Sequence, residues 1–134
     1  MTVLICGSLA FDHIMVFDDQ FQNHILPGQV HNLNVSFMAE NRRVEFGGCA
    51  GNIAYNLNLL GVDALAQATV GGDFAPYAKW LDQCGISRRC ITVLEDEHTS
   101  SAFIITDRDG NQICLLYTSP SPRDATLSRM PSSA

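Results

Sequence analysis

The stretch "RRVEFGGCAGNIAYNLNLLG", residues 42–61, constrains the fold of this chain more than any other. Arg42 to Phe46 alternates polar and apolar side chains, the period of a strand with one wet face. From Ala50 to Leu60 the spacing becomes helical, with Ile53, Leu57 and Leu60 on one face and Gly61 at the C-terminal stop. Gly47 and Gly48 stand between the two patterns. Glycine permits torsions closed to other residues, so the pair marks a sharp change of direction or a close backbone approach. Three readings compete: a phosphate cradle, a hinge beside a polar ligand, and ordinary tight packing of helix on strand.

The phosphate cradle fails on residue types. A Walker-type loop ends in Gly-Lys-Ser/Thr, and the first lysine of this chain is Lys79. A dinucleotide fingerprint needs G-x-G-x-x-G straight after the first strand, where the chain reads "CGSLAFD". Asn52 lies in the first helical turn and offers both donors and an acceptor, as recognition of hydroxyl groups requires. The residues alone leave a hinge with a polar ligand site and plain helix–strand packing both open.

The remaining pattern is that of an α/β chain. "TVLICGS" (2–8) is a nearly continuous apolar run, which predicts a parallel strand buried on both faces. An apolar "IMVF" follows Asp12 and His13, then a polar loop or short helix from Asp18 to Gly28. Val30 to Phe37 and Arg42 to Phe46 read as antiparallel strands of a small β excursion at about 13–46. Asp63 to Val70 is a second apolar strand. Asp73 is placed to cap a helix in which Phe74, Tyr77, Leu81 and Cys84 share one face and Gly85 ends the run. "RRCITVL" and "SAFIIT" read as strands of the α/β half, and "DRDG" (107–110) as the tight turn of a hairpin whose return strand barely starts.

Composition excludes several classes. A formal net charge of −6 argues against a general nucleic-acid binder, which wants a basic face. No apolar run approaches the roughly 20 residues that cross a bilayer, and the apolar start lacks a basic leader, so a cytoplasmic protein without a membrane role is expected. Cys6, Cys49, Cys84, Cys90 and Cys114 lack CxxC spacing and read as free buried thiols, and His13, His24, His31 and His98 show no zinc spacing. From Cys114 the composition changes abruptly to a Pro- and Ser-rich segment. "CLLYTSPSPRD" resembles, codon for codon, the translation of a transposon-type sequencing adapter, and "SRMPSSA" resembles its far end, with a variable index at 125–127 between them. Residues 114–134 are therefore expected to be non-native and the natural sequence to break off near Ile113.

"GGCAGNIAYNLNLLGVDALAQATVG" resembles the first signature of the ribokinase-like (PfkB-type) sugar and nucleoside kinases, through Gly47, Gly48, Ala50, Asn52, Ala54, Gly61 and Gly71. "GSLAFDHIM" and "VGGDFAPYAKWLDQCGI" stand where that family has them, so the resemblance covers residues 2–113. "FQNHILPGQVHNLNVSF" with "GGCAGN" is most similar to bacterial adenosine kinases of ribokinase type, another sugar or nucleoside kinase being the alternative.

The resemblance implies the N-terminal part of a three-layer αβα fold with an inserted β lid and an incomplete sheet. It implies that Asp12 hydrogen-bonds sugar hydroxyls with Ser8 beside it, and that Gly48 and Asn52 touch ribose. Gly47 and Gly48 would be the lid hinge, Ser36 and Phe37 the lid residues over the nucleoside, and Phe103 a further aromatic facing the base. As residues, Asp12 also fits a turn cap, and both phenylalanines also fit core packing. Full-length members transfer a phosphoryl group from ATP, with Mg²⁺, to a primary hydroxyl. The catalytic "DTxGAGD"-type motif has no match here, so no catalytic residue is assigned and the chain alone is expected to be inactive and poorly soluble. A homodimer through lid strands, and a non-catalytic nucleoside-binding module, complete the expectations.

Overall fold

A computed structural model describes residues 1–118; of the adapter-like segment 114–134, residues 119–134 lie outside the described residues. In chain order the elements are β1 (Thr2–Cys6), β2 (Ala10–Phe17), two 3-10 turns (Phe21–Asn23 and Pro27–Asn32) and β3 (Ala39–Gly47). Then come α1 (Cys49–Leu59), β4 (Asp63–Gly71), α2 (Ala75–Gln83), β5 (Ile91–Leu94), β6 (Ser100–Thr106) and β7 (Gln112–Tyr117).

They build two sheets. The first is parallel, ordered β1-β4-β5, with Val3 against Ala64 and Ile5 against Ala66. Both helices pack on one of its faces, where Ile5, Ala64, Ala66 and Val70 meet Ala50, Ala54, Phe74, Tyr77 and Leu81 in one core. The second is ordered β3-β2-β6-β7; β2 runs antiparallel to β3 and parallel to β6, and β6 and β7 form a hairpin. Phe11 and Phe46 carry this sheet onto the same core through Tyr77 and Trp80.

Several expectations change. β1 is covered on one face only: Ile5 is buried, whereas Leu4 is 54% exposed and Cys6 is open. Helix α1 buries Ala50, Gly51 and Ala54, not the face of Ile53 and Leu60, which are 47% and 77% exposed. The small side chains let α1 lie close against Leu9 and Tyr77, and closeness wins over side-chain size. Val30–Phe37 is not a strand. Pro27 starts a 3-10 turn there, and the Phe37 ring is drawn into a cluster with Phe17 and Phe21, centroids 4.9 and 5.0 Å away.

Asp73 does not cap α2, whose N-cap is Phe74; its carboxylate is taken by Thr99. The second sheet reaches well beyond 13–46, since β6 and β7 belong to it. The return strand of the hairpin continues through Tyr117, so residues 114–117 are part of the ladder. Its turn has Gly110 at φ 82° and is organised by buried Asp107, which accepts from the amides of Asp109 and Asn111 and from Phe21 N. All five cysteines are free, but Cys6, Cys49 and Cys114 are exposed, because one sheet face and the start of α1 are uncovered.

Candidate functional site

The chain leaves β1 through Gly7, Ser8 and Leu9 and enters β2, and a few ångströms away β3 ends and α1 begins. Ser8 ties the two passages together. Its carbonyl accepts from Ala50 N at 3.0 Å, and its Oγ accepts from Cys49 N at 3.3 Å and lies 3.6 Å from Cys49 Sγ. These contacts of Ser8 hold the Cys49 thiol pKa below its usual value.

Gly48 has φ 88° and ψ 143°, a backbone state that side chains disfavour. A Cβ there would stand 2.5 Å from Ser8 O and 2.8 Å from Leu9 Cα. Only glycine lets the junction close this tightly. Gly48 O then accepts from Asn52 N at 3.0 Å, the first turn of α1.

Asp12 sits against this junction. Its carboxylate occupies the space a side chain on Gly47 would need, which is why residue 47 also lacks one. Partial burial raises the Asp12 pKa; neighbouring His13 opposes the shift and Glu45, its partner across the ladder, adds to it. Gly47 is fixed from behind as well, because Tyr77 Oη donates to Gly47 O at 2.8 Å. Burial first, and the Asp12 charge second, push the Tyr77 pKa above its ordinary range.

Ser8, Asp12, Gly47, Gly48 and Asn52 are thus brought to one corner between the two sheets. Asn52 is exposed on the first turn of α1, and its side chain makes no hydrogen bond among those of the described residues. Such a corner can present a carboxylate, a carboxamide, a hydroxyl and backbone groups to a polyhydroxylated ligand.

Three other expected residues lie elsewhere. Phe37 belongs to the aromatic cluster at the far end of β2, with Phe17, Phe21 and His24. Five residues of strand separate Phe17 from Asp12, about 16 Å. Ser36 is exposed beside Phe37. Phe103 pairs with His13 in the ladder and stacks on it, centroids 4.6 Å apart and planes within 5°. Asp12 pairs with Ala102, so Phe103 is on the opposite face of the sheet from Asp12. That back face lines a cavity of about 460 Å³ with Asp73, Thr99 and Tyr117; another, of about 420 Å³, lies at Gly71, Gly72 and Phe74. Neither includes the Asp12 corner.

Two residues with a structural claim on this region went unnoticed in the sequence. Tyr77 reads as one more apolar residue of the α2 stripe; a hydroxyl on a core face, which must find a partner, was the available signal. Thr99 is fully buried where residues 95–99 pass from β5 to β6. It donates through Oγ1 to Asp73 at 2.6 Å and through N at 2.8 Å, and accepts from Gly71 N at 3.1 Å. No local pattern marks it.

Comparison with known proteins adds a family. The profile described as pfkB family carbohydrate kinase matches residues 10–127, a span that runs past Ile113. A nucleoside kinase of Methanothermobacter thermautotrophicus is 32% identical over 117 residues, covering 86% of this chain and 35% of the relative. The fold superposes on Burkholderia thailandensis nucleoside kinase, solved with inosine, with TM-score 0.74 and 45% identity over 88% of this chain and 36% of that one. The same protein was also solved with ADP-inosine (TM-score 0.65, 50% identity, 88% and 37% covered). Methanocaldococcus jannaschii nucleoside kinase, described as an archaeal member of the ribokinase family, gives TM-score 0.73 and 29% identity over 87% and 36%. The chain spans roughly a third of the length of the curated relatives it matches.

Proposed function

The chain belongs to the pfkB family of carbohydrate kinases, and on that premise we propose that it is the substrate-binding, lid-bearing part of a nucleoside kinase. The proposed reaction passes a phosphoryl group from ATP to the 5′-hydroxyl of a purine nucleoside, with adenosine as first choice. The observation that carries this reading is the corner at which Ser8, Asp12, Gly48 and Asn52 converge between two sheets. Relatives named nucleoside kinases support the nucleoside, and the inosine in one of their complexes supports a purine.

In this reading the Asp12 carboxylate accepts from ribose hydroxyls while the Asn52 carboxamide reads a neighbouring one. Buried polar groups left without partners penalise a sugar lacking those hydroxyls. The second sheet closes over the nucleoside, turning at Gly47 and Gly48. Asp12 faces the ligand with Ala102, its ladder partner on β6, where the resemblance had implied Phe103.

ATP would supply the transferred group. The described residues contain no cluster of three or more metal-ligating side chains and no lysine-bearing phosphate loop. These residues do not fit ATP or Mg²⁺. Dimerisation through the second sheet belongs to the same reading, since β3 is an open edge of it.

The test uses the uninterrupted gene product, read past residue 113. Adenosine and inosine should be phosphorylated in preference to free ribose or fructose, and Asp12→Asn should lower kcat/KM by about 10- to 100-fold, the worth of a charge-assisted hydrogen bond. Preference for a free sugar would replace the substrate class. Binding without turnover would leave a nucleoside-binding module. The same gene read decides whether residues 114–134 are adapter-derived.

A further inference from the structure

We propose that Tyr77 is a positioning residue for this site: its hydroxyl holds the Gly47 peptide, and through it the Asp12 carboxylate, in the geometry that receives the sugar. The proposal rests on the reading that Asp12, Gly48 and Asn52 hold the substrate.

Tyr77 is fully buried on α2, part of the layer that covers the parallel sheet, whereas Gly47 is the last residue of β3 in the other sheet. The bond from Tyr77 Oη to Gly47 O therefore crosses from one body to the other. The ring cannot swing away. Phe46 lies 4.9 Å from it, Phe74 5.3 Å, Trp80 5.6 Å and Phe11 6.0 Å, centroid to centroid. A ring locked on all sides delivers its hydroxyl to one place.

Two glycines record that place. A Cβ on Gly51 would collide with Tyr77 Oη, so the first turn of α1 is bare where the hydroxyl passes. A Cβ on Gly47 would collide with the Asp12 carboxylate. Gly47 is thus held through its carbonyl by Tyr77 while its Cα is the floor on which Asp12 rests. Moving the Gly47 peptide moves that floor, and Gly48 with it. Tyr77 touches no ligand in this arrangement and acts only through the backbone it holds.

The test uses the intact gene product carrying Tyr77→Phe, which keeps the ring and removes the hydroxyl. Ile86→Val, a core change away from the junction, serves as the match for lost stability. Two quantities are read beside Tm: nucleoside affinity by titration calorimetry, and hydrogen exchange of the peptide covering residues 45–50. Tyr77→Phe should weaken adenosine binding about tenfold and accelerate exchange at 45–50, since a buried carbonyl loses its donor. Ile86→Val should lower Tm similarly and leave both unchanged. If the two variants behave alike, Tyr77 is ordinary core and the proposal falls. Faster exchange with unaltered affinity also overturns it, because the tie would then not position the site. A wild-type protein that binds no nucleoside or sugar would refute the substrate reading instead, and exchange at 45–50 would still decide whether the hydroxyl holds the junction.

Discussion

Replacing Thr99 by valine isolates one buried hydroxyl, because the two side chains are nearly the same size. Thr99 Oγ1 accepts from Gly71 N at 3.1 Å and donates to Asp73 Oδ1 at 2.6 Å. Gly71 is buried and packed under the backbone of Glu97 and His98, so no water replaces the lost acceptor. An unsatisfied buried amide costs about 1–3 kcal/mol. The Asp73 side chain is 42% exposed; it keeps the Thr99 amide at 2.8 Å and regains water on the other side, so its share is small. The expected loss is about 2 kcal/mol. Thr99→Ser keeps the hydroxyl and sheds one methyl, about 0.8 kcal/mol. Urea unfolding of the intact protein, compared at constant m-value, measures both. A Thr99→Val protein no less stable than Thr99→Ser would refute the assignment of this hydroxyl as the tie.

Acid should loosen the same tie. Burial raises the Asp73 pKa, but the hydroxyl and amide of Thr99 outweigh it and leave the group lowered. A carboxyl depressed on folding contributes stability that is complete above the unfolded value of about 4 and is lost as pH falls through the folded value. Urea midpoints taken from pH 5 down to 3 should therefore fall less steeply in Thr99→Val than in the wild type. Gly48→Ala and Gly61→Ala make a matched pair, with φ 88° and 74°. The Gly61 site is open and its substitution should cost about 1–2 kcal/mol, whereas Gly48→Ala must also displace Ser8 O and should cost clearly more by the same denaturation assay.

What could be read without coordinates was what local chemistry decides. The α2 stripe of Phe74, Tyr77 and Leu81 is buried as its spacing demands, and the Gly47–Gly48 junction does join a strand to a helix. The Asp12, Gly48 and Asn52 corner is a different case: the residues alone left ligand site and plain packing open, and only the family resemblance joined the two short motifs that supply it. Pairings between distant segments were not legible. Nothing in "SAFIIT" says that it runs beside residues 10–16 in the second sheet, and neighbouring side chains in a strand face opposite ways. Phe103 was therefore offered to a face it does not share with Asp12. Val30–Phe37 failed differently: its imperfect alternation carried little, and a ring cluster rather than a ladder fixes Phe37.

The three passages between the sheets decide how the second sheet can move in the proposed mechanism. Residues 7–9 and Gly48 are joined through Ser8 and act as one passage, at the β2–β3 side. Residues 95–99 form the other, entering β6 on the far side of β2. A rigid sheet held at two places turns about the line between them, so the axis runs beneath β2 from Gly48 to Thr99. Each end is met by a buried hydroxyl: that of Tyr77 from α2 at one, and that of Thr99 itself, bonded to the end of β4 and to Asp73, at the other. Asp12 lies on β2 close to this line, where rotation displaces it least, while Phe37 and the loop tip beyond Phe17 travel farthest. In the proposed mechanism the group that grips the sugar thus lies near the pivot, and the far end of β2 is on the arm.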